Sequence, residues 1–544
     1  MDVGGASSAS PDYGLYTYDA LGQVISGKRY WSDGTPVAGQ QFEYGFDDIG
    51  NRKVARRGGD ENGWNLRQSI YTANLLNQYT QRTVPGFVDI IGIALATNPV
   101  YVNGQMASRK GEYFRRELSV NKAGAPVWLG VTVTSPGGPT VTGNLFVPRT
   151  PEAFTHDLDG NLTSDGRWNY WWDGENRLVR VQSRSDTPQG SWRRVEWQYD
   201  ALGRRIRQTT WNWLVQSNLW VVTEDLKFVS DPLLYGRHVV DLNASNNVPV
   251  RSYAWGLDLS ETLEGAGGVG GLLWVSLHPG SGPTAGTHFC AYDGNGNIVA
   301  LSAASDGSVS ARYEYGPFAE PIRLTGPAAA LNPFRFNTKR TCNVTDLVLY
   351  EYRAYSPALA RWLSRDPIEE VGGRNLYAFV VNVPTSRADL LGFGCWVTFE
   401  CQLYSETTQG KCDKHCEYVC VEKDRVRVKG LSPATCDDLP QQKITITEGI
   451  TAWGSLLCRI TGGKCGKKGV CPSRIPTYRL YDDIEIPNRD CSRKECISLC
   501  EAAYDLAKGA CEKMQELART SCKAAAEAAR VLCIDTCNAW CTRP

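Results

Sequence analysis

Tyr18-Asp-Ala-Leu-Gly22-Gln-Val24 and Tyr199-Asp-Ala-Leu-Gly203-Arg-Arg-Ile206 are one pattern met twice, far apart in the chain. Phe46-Asp-Asp-Ile-Gly50-Asn-Arg52, His156-Asp-Leu-Asp-Gly160-Asn-Leu162, Trp172-Asp-Gly-Glu-Asn-Arg-Leu178 and Tyr292-Asp-Gly-Asn-Gly296-Asn-Ile298 repeat it, and Tyr313-Glu-Tyr-Gly316 is a degenerate copy. Each unit reads as an aromatic residue, an Asp, a turn, a Gly and a strand. Asp can accept hydrogen bonds from its own backbone two residues on, and Gly supplies positive φ, so the pair closes a hairpin. The flanks alternate with period two, as in Arg177-Leu-Val-Arg-Val181 and Arg193-Arg-Val-Glu-Trp-Gln-Tyr199. One hairpin cannot bury its own apolar face, so such units stack. The spacing predicts antiparallel β-structure over residues 12–340, with 64–150 as an inserted β-rich stretch that matches the units poorly.

Composition divides the chain near Gly394. Residues 1–394 hold 45 of the 54 Gly and only Cys290 and Cys342, whereas residues 395–544 hold the other 17 Cys. A single core would not need such a switch, so a domain boundary is expected there. The 544 residues carry 58 basic and 58 acidic side chains, which gives no general attraction to nucleic acid or to an acidic membrane. No apolar run reaches 18 residues, so no membrane span is expected. The start, MDVGGASSAS, lacks the basic and apolar pattern of a secretory signal. Either export takes another route or the chain is the C-terminal part of something longer.

Tyr350 to Gly392 reads YEYRAYSPALARWLSRDPIEEVGGRNLYAFVVNVPTSRADLLG. It resembles the core domain associated with rearrangement-hotspot (RHS) repeats, and the repeated units resemble the tyrosine–aspartate repeats of the same proteins. The resemblance covers residues 12–393. It implies a hollow β-shell over 12–340, a core-domain plug over 341–394, and a variable C-terminal domain over 395–544, often a toxin, held inside as cargo. It further implies export to the medium or cell surface, and as partners the chain's own C-terminal domain and an immunity protein or target-cell component.

The resemblance also implies a self-cleaving aspartyl protease in the core. Its two motif Asp fall on Asp366 and Asp389, and its Arg on Arg353. Two neighbouring carboxylates cannot both ionise cheaply; the ionised one can activate water and the protonated one can polarise a carbonyl. Such a pair titrates as a unit, so base and acid stay unassigned. The cut is expected at Phe393–Gly394. Read without the resemblance, both Asp are turn or capping residues. This chain departs from the family pattern at Leu390, which stands where Pro is usual, at Asn382-Val383-Pro384 and at Ala360-Arg361. Losing Pro after Asp389 frees one φ angle and adds an N–H.

The tail from 395 is expected to be α-rich. Asp490 to Trp540 is Ala-rich and free of Pro, and Cys500, Cys511, Cys522 and Cys533 stand 11 residues apart, which places them on one helical stripe. Cys412-x3-Cys416-x3-Cys420 shows an i,i+4 step. Seventeen Cys point to a disulfide framework between the stripe and the segment Cys395–Cys491. Zinc at Cys412, His415, Cys416 and Cys420, or buried reduced thiols, are the alternatives. The tail shows no nucleophile elbow, HExxH, phosphate loop or deaminase motif, and no cofactor is expected. Two readings stay open: an RHS protein that cuts loose a C-terminal effector, and a non-cleaving adhesive surface protein that presents a disulfide-stabilised tail.

Overall fold

A computed structural model describes residues 12–231, 234, 236–260, 262–263, 265–371 and 373–392. It also describes, by backbone alone, strands Val397–Gln409, Asp413–Arg425, Ile444–Gly449, Arg474–Leu480 and Ile484–Glu485. The architecture is mainly β, in antiparallel sheets. These residues form two compact units, divided at 366/367, 372/373, 392/393 and 483/484.

In the first unit the repeats build two meanders. Strands Asp12–Tyr18, Val24–Trp31, Pro36–Phe46, Arg52–Gly58, Leu66–Ala73 and Tyr79–Arg82 pair in chain order, and Glu152–Ala153 closes that seven-stranded sheet. Fourteen further strands, Thr155–His156 to Pro321–Thr325, again pair each with the next. The reason is local. Asp19 Oδ1 accepts from the N–H groups of Leu21 and Gln23 at 2.9 Å each, and Gly22 takes φ +80°. Asp47, Asp173, Asp200 and Asp293 accept in the same i+2 and i+4 pattern.

Two further turns of this kind escape the sequence pattern. Asp60 accepts from Asn62 and Trp64, and Asn74 accepts from Leu76 and Gln78 with Asn77 at φ +61°. Alternation follows the pleat: Val195 and Trp197 are buried while Arg194 and Glu196, on either side of Val195, stay half-exposed. Between the two meanders, Phe87–Ile93 to Val141–Val147 form two small sheets. They have their own core of Ile90, Val102, Phe114, Val131 and Val133.

Residues 333–366 and 373–392 run along these turns and hold many of them. Asn382 Nδ2 donates to the Gly50 carbonyl at 2.8 Å, Arg361 Nη2 to the Asn77 carbonyl at 2.6 Å, and Tyr377 Oη to the Gly160 carbonyl at 2.8 Å. Thr338 Oγ1 donates to the Gly296 carbonyl at 2.8 Å, and Asn295 Nδ2 to the Thr385 carbonyl at 2.9 Å. Leu347, Leu349, Ala354, Leu359 and Leu363 join repeat residues Tyr71, Tyr79, Trp168, Tyr170 and Trp197 in one apolar cluster. The core segment is thus a common partner of hairpins far apart in the chain, beside direct contacts between the first and last strands such as Arg29–Glu314 at 2.9 Å and Tyr44 Oη–Glu320 at 3.0 Å.

That arrangement sets the expected cost of crowding one turn. Gly160 sits at φ +86°, and a Cβ there would lie 2.5 Å from Tyr377 Oη, with Arg365 also in the way. Gly160→Ala is expected to destabilise the first unit by about 2–4 kcal/mol, combining left-handed strain with displacement of the Tyr377 hydrogen bond. A urea midpoint unchanged from the parent would refute it.

At the seam between the meanders, Glu152 pairs with Arg82 and accepts from Gly166 N–H, beside Asp165. Asp165 accepts from Arg167 and Trp168 N–H and from Tyr170 Oη at 2.6 Å. Burial, reinforced by Glu152, pushes the Asp165 carboxyl up to about 6. A raised carboxyl favours the folded state fully below its unfolded value near 4, and that contribution is lost as pH rises through about 6. Stability is therefore expected to fall over that window, and Asp165→Asn to flatten the fall. An Asp165→Asn curve parallel to the parent's would rule the seam out as its source.

In the second unit the described strands form one four-stranded sheet, in the order Ile444–Gly449, Asp413–Arg425, Val397–Gln409, Arg474–Leu480. Cys416 and Cys420 therefore lie on a strand, where Cys420 stands opposite Cys401 in register. The helical stripe expected from Asp490 to Trp540 lies outside the described residues, as do Cys412 and the side chains of the alternative zinc site. Among the described residues no helix is long and apolar enough to cross a membrane.

Candidate functional site

Arg353, Asp366 and Asp389 come together in the first unit. Arg353 directly precedes strand Ala354–Ser356; Asp366 follows strand Arg361–Trp362; Asp389 follows strand Arg387–Ala388. Arg353 Nη2 lies 3.0 Å from Asp366 Oδ2 and 3.4 Å from Asp389 Oδ2, so one guanidinium nitrogen contacts both carboxylates. Arg353 Nε donates to the Gly392 carbonyl. Below the guanidinium lies the Trp362 ring, its centroid 4.2 Å from Arg353 Cζ. Arg353 and Asp389 are buried.

The Asp389 loop is folded by its own side chain. Asp389 Oδ1 accepts from Gly392 N–H at 2.5 Å and from Leu391 N–H at 3.2 Å. Tyr352 N–H donates to the Leu391 carbonyl at 3.0 Å, which ties this loop to the residue beside Arg353. Gly392 takes φ +89°, and a Cβ there would meet Tyr350 Cβ at 3.0 Å and Arg353 N at 3.1 Å. Only Gly lets the backbone turn this close to the guanidinium. Leu390 packs with Ala266 and Val269 against a glycine-rich loop. Among the described residues nothing accepts its N–H.

Burial raises the Asp389 carboxyl above the ordinary carboxylate range. Arg353 and the Gly392 N–H oppose this, and Asp366 adds to it. Two carboxylates share one guanidinium, so the trio carries one negative charge too many for a desolvated site. Burial at this position thus favours the protonated form of Asp389. Arg353 touches both carboxylates and so bridges them. Trp362, as the platform under Arg353, and Lys339, whose charge acts on Asp389, were not singled out as site residues from the sequence. Trp362 stands inside the core motif, four residues before Asp366, so its position was the available signal. Phe393 and Gly394, the expected cut, lie outside the described residues; the Gly392 carbonyl is the nearest described group.

No family model matches the chain. By sequence it is similar to toxins of RHS type at low identity. tRNA nuclease WapA of Bacillus subtilis (strain 168) is 28% identical over 252 residues, which is 45% of this chain and 9% of WapA. Toxin subunit YenC2 of Yersinia entomophaga is 23% identical over 402 residues, 69% of this chain and 36% of YenC2. The matched stretch is thus about a tenth of WapA and about a third of YenC2. Among solved structures, the crystal structure of TcdB2-TccC3 aligns over 70% of this chain and 19% of its own, at 17% identity and a TM-score of 0.36.

Proposed function

We propose that this chain is an exported RHS toxin-like protein whose repeats enclose a C-terminal effector, and that Arg353, Asp366 and Asp389 cut the chain once near Phe393–Gly394. The observation that supports this is the Arg353 guanidinium touching both carboxylates and the Gly392 carbonyl at once. In this reading Asp366 takes a proton from water as the hydroxyl adds to the scissile carbonyl carbon. Arg353 and protonated Asp389 stabilise the carbonyl oxygen as it gains charge. Collapse breaks the C–N bond, and the leaving nitrogen takes a proton to become a new amino terminus opposite a new carboxylate. The attack is intramolecular, so the reacting groups are at high effective concentration.

The nuclease activity in the name of WapA belongs to WapA, and no catalytic motif assigns an activity to residues 395–544. Partners in this reading are the chain's own tail as cargo, and an immunity protein or target-cell component. A second reading is favoured by Asp389 Oδ1, which already caps two N–H groups as a plain turn residue does. There the cluster is a structural lock and the tail is presented uncut. A denaturing gel of purified full-length chain separates the two: a tail fragment supports the first, and intact chain after days supports the second.

A further inference from the structure

A second charged cluster lies beside the Asp pair, with Lys339 in common. A cavity is lined by Arg205, Arg237 and His238 from the repeat sheet and by Lys339, Arg340 and Glu351 from the core segment. Most of its charges are matched. Arg340 Nη2 meets Asp241 Oδ1 at 2.7 Å and its Nε donates to His238 Nδ1 at 3.1 Å. Lys339 Nζ lies 3.0 Å from both Glu351 oxygens, and Arg237 Nη2 lies 3.7 Å from Asp258 Oδ2.

Arg205 is different. It is 9% exposed, its Nη1 donates to the Tyr350 carbonyl, and its Nε is buried with no hydrogen-bond partner. Among the described residues no carboxylate forms a close ion pair with it; Glu351 acts on it at longer range, and the Tyr199 ring centroid lies 5.5 Å from its Cζ. A buried, unpaired guanidinium N–H costs free energy that a bound anion would recover. His238 cannot add to the positive charge, since burial and Arg340 drive its pKa down to about 3.

We propose that this cavity binds one compact oxyanion, of the phosphate or sulfate class, through Arg205 with Arg237, Lys339 and Arg340 around it. Arg is suited to this, because its fork of N–H donors matches a tetrahedral or planar oxyanion. The anion would bridge the start of strand Arg205–Leu214 to the core segment, and so fasten the core to the repeats two residues from Arg353. The proposal does not rest on self-cleavage.

The test is titration of the full chain with sodium phosphate by calorimetry, against sodium chloride at matched ionic strength, with sodium sulfate as a second arm. Saturable one-to-one binding with Kd at or below about 1 mM is expected, with a rise in unfolding temperature that chloride does not reproduce. Arg205→Gln should weaken binding at least tenfold, and Glu351→Gln, which frees Lys339, should tighten it. Absence of saturable phosphate or sulfate binding by the parent chain overturns the proposal, whatever the variants do. So does binding that Arg205→Gln and Glu351→Gln both leave unchanged. Arg56, exposed on a distant strand, serves as control: Arg56→Gln should leave the affinity as it is.

Discussion

Purified chain is expected to run as two pieces, the smaller of about 150 residues beginning at or within a few residues of Gly394. Asp366→Asn and Asp389→Asn should each leave it whole, slowing the cut by about 10²-fold or more, because one group must take a proton and the other must hold one. Arg353→Ala should do the same by removing both the bridge and the hydrogen bond to the Gly392 carbonyl. In the proposed mechanism Asp389 acts in its protonated form, and burial raises its carboxyl above the ordinary range. Cutting should therefore persist to higher pH than an ordinary carboxylic acid would allow, and fall as pH rises further.

Leu390→Pro is a sharper probe. The Leu390 N–H has no acceptor among the described residues, so the ring removes no hydrogen bond there. It fixes φ beside Asp389 and is expected to leave cutting unreduced or faster. N-terminal sequencing of the fragment locates the bond. A chain that stays whole for days, with Asn variants indistinguishable from it, makes the cluster a lock and leaves the presented-tail reading.

How much of this the sequence carried depends on the kind of signal. The Asp turns were legible because one short motif contains both the acceptor and the positive-φ residue, as at Asp19 and Gly22. The turn at Asn74 was not, because Asn replaces Asp and Asn77 replaces Gly, so the same geometry is written in other letters. The four-residue step Cys416 to Cys420 suits a helix and a strand alike, since four is near one turn and is also even; the backbone resolves it as strand. Arg353, Asp366 and Asp389 could not be brought together from spacing. Their contact depends on short strands that return past one another, and only the resemblance of the whole stretch Tyr350–Gly392 joined them. That Arg353 touches both carboxylates, and not one alone, was not legible in the sequence.

The largest loss of stability is expected at Trp362. It is 1% exposed, and the rings of Tyr350, Tyr355 and Phe379 surround it at centroid distances of 4.9, 5.7 and 5.4 Å. Arg353 stacks on it, and the Trp362 backbone N–H donates to the Tyr377 carbonyl at 3.0 Å. Trp362→Ala removes the whole indole from a packed aromatic cluster and should cost about 3–5 kcal/mol, read as a lowered urea midpoint. It should also cost cleavage, since the guanidinium loses the platform that holds it against both carboxylates. Trp362→Phe separates the two effects. The indole Nε1 is buried with no hydrogen-bond partner, so replacing it by a ring without that N–H relieves an unpaired donor while leaving a smaller void. Trp362→Phe should therefore lose less than about 2 kcal/mol and still cut, because a phenyl face still supports Arg353. Cleavage at the parent rate in folded Trp362→Ala would show that Arg353 is held by its ion pairs alone, and that the ring beneath it serves only the core.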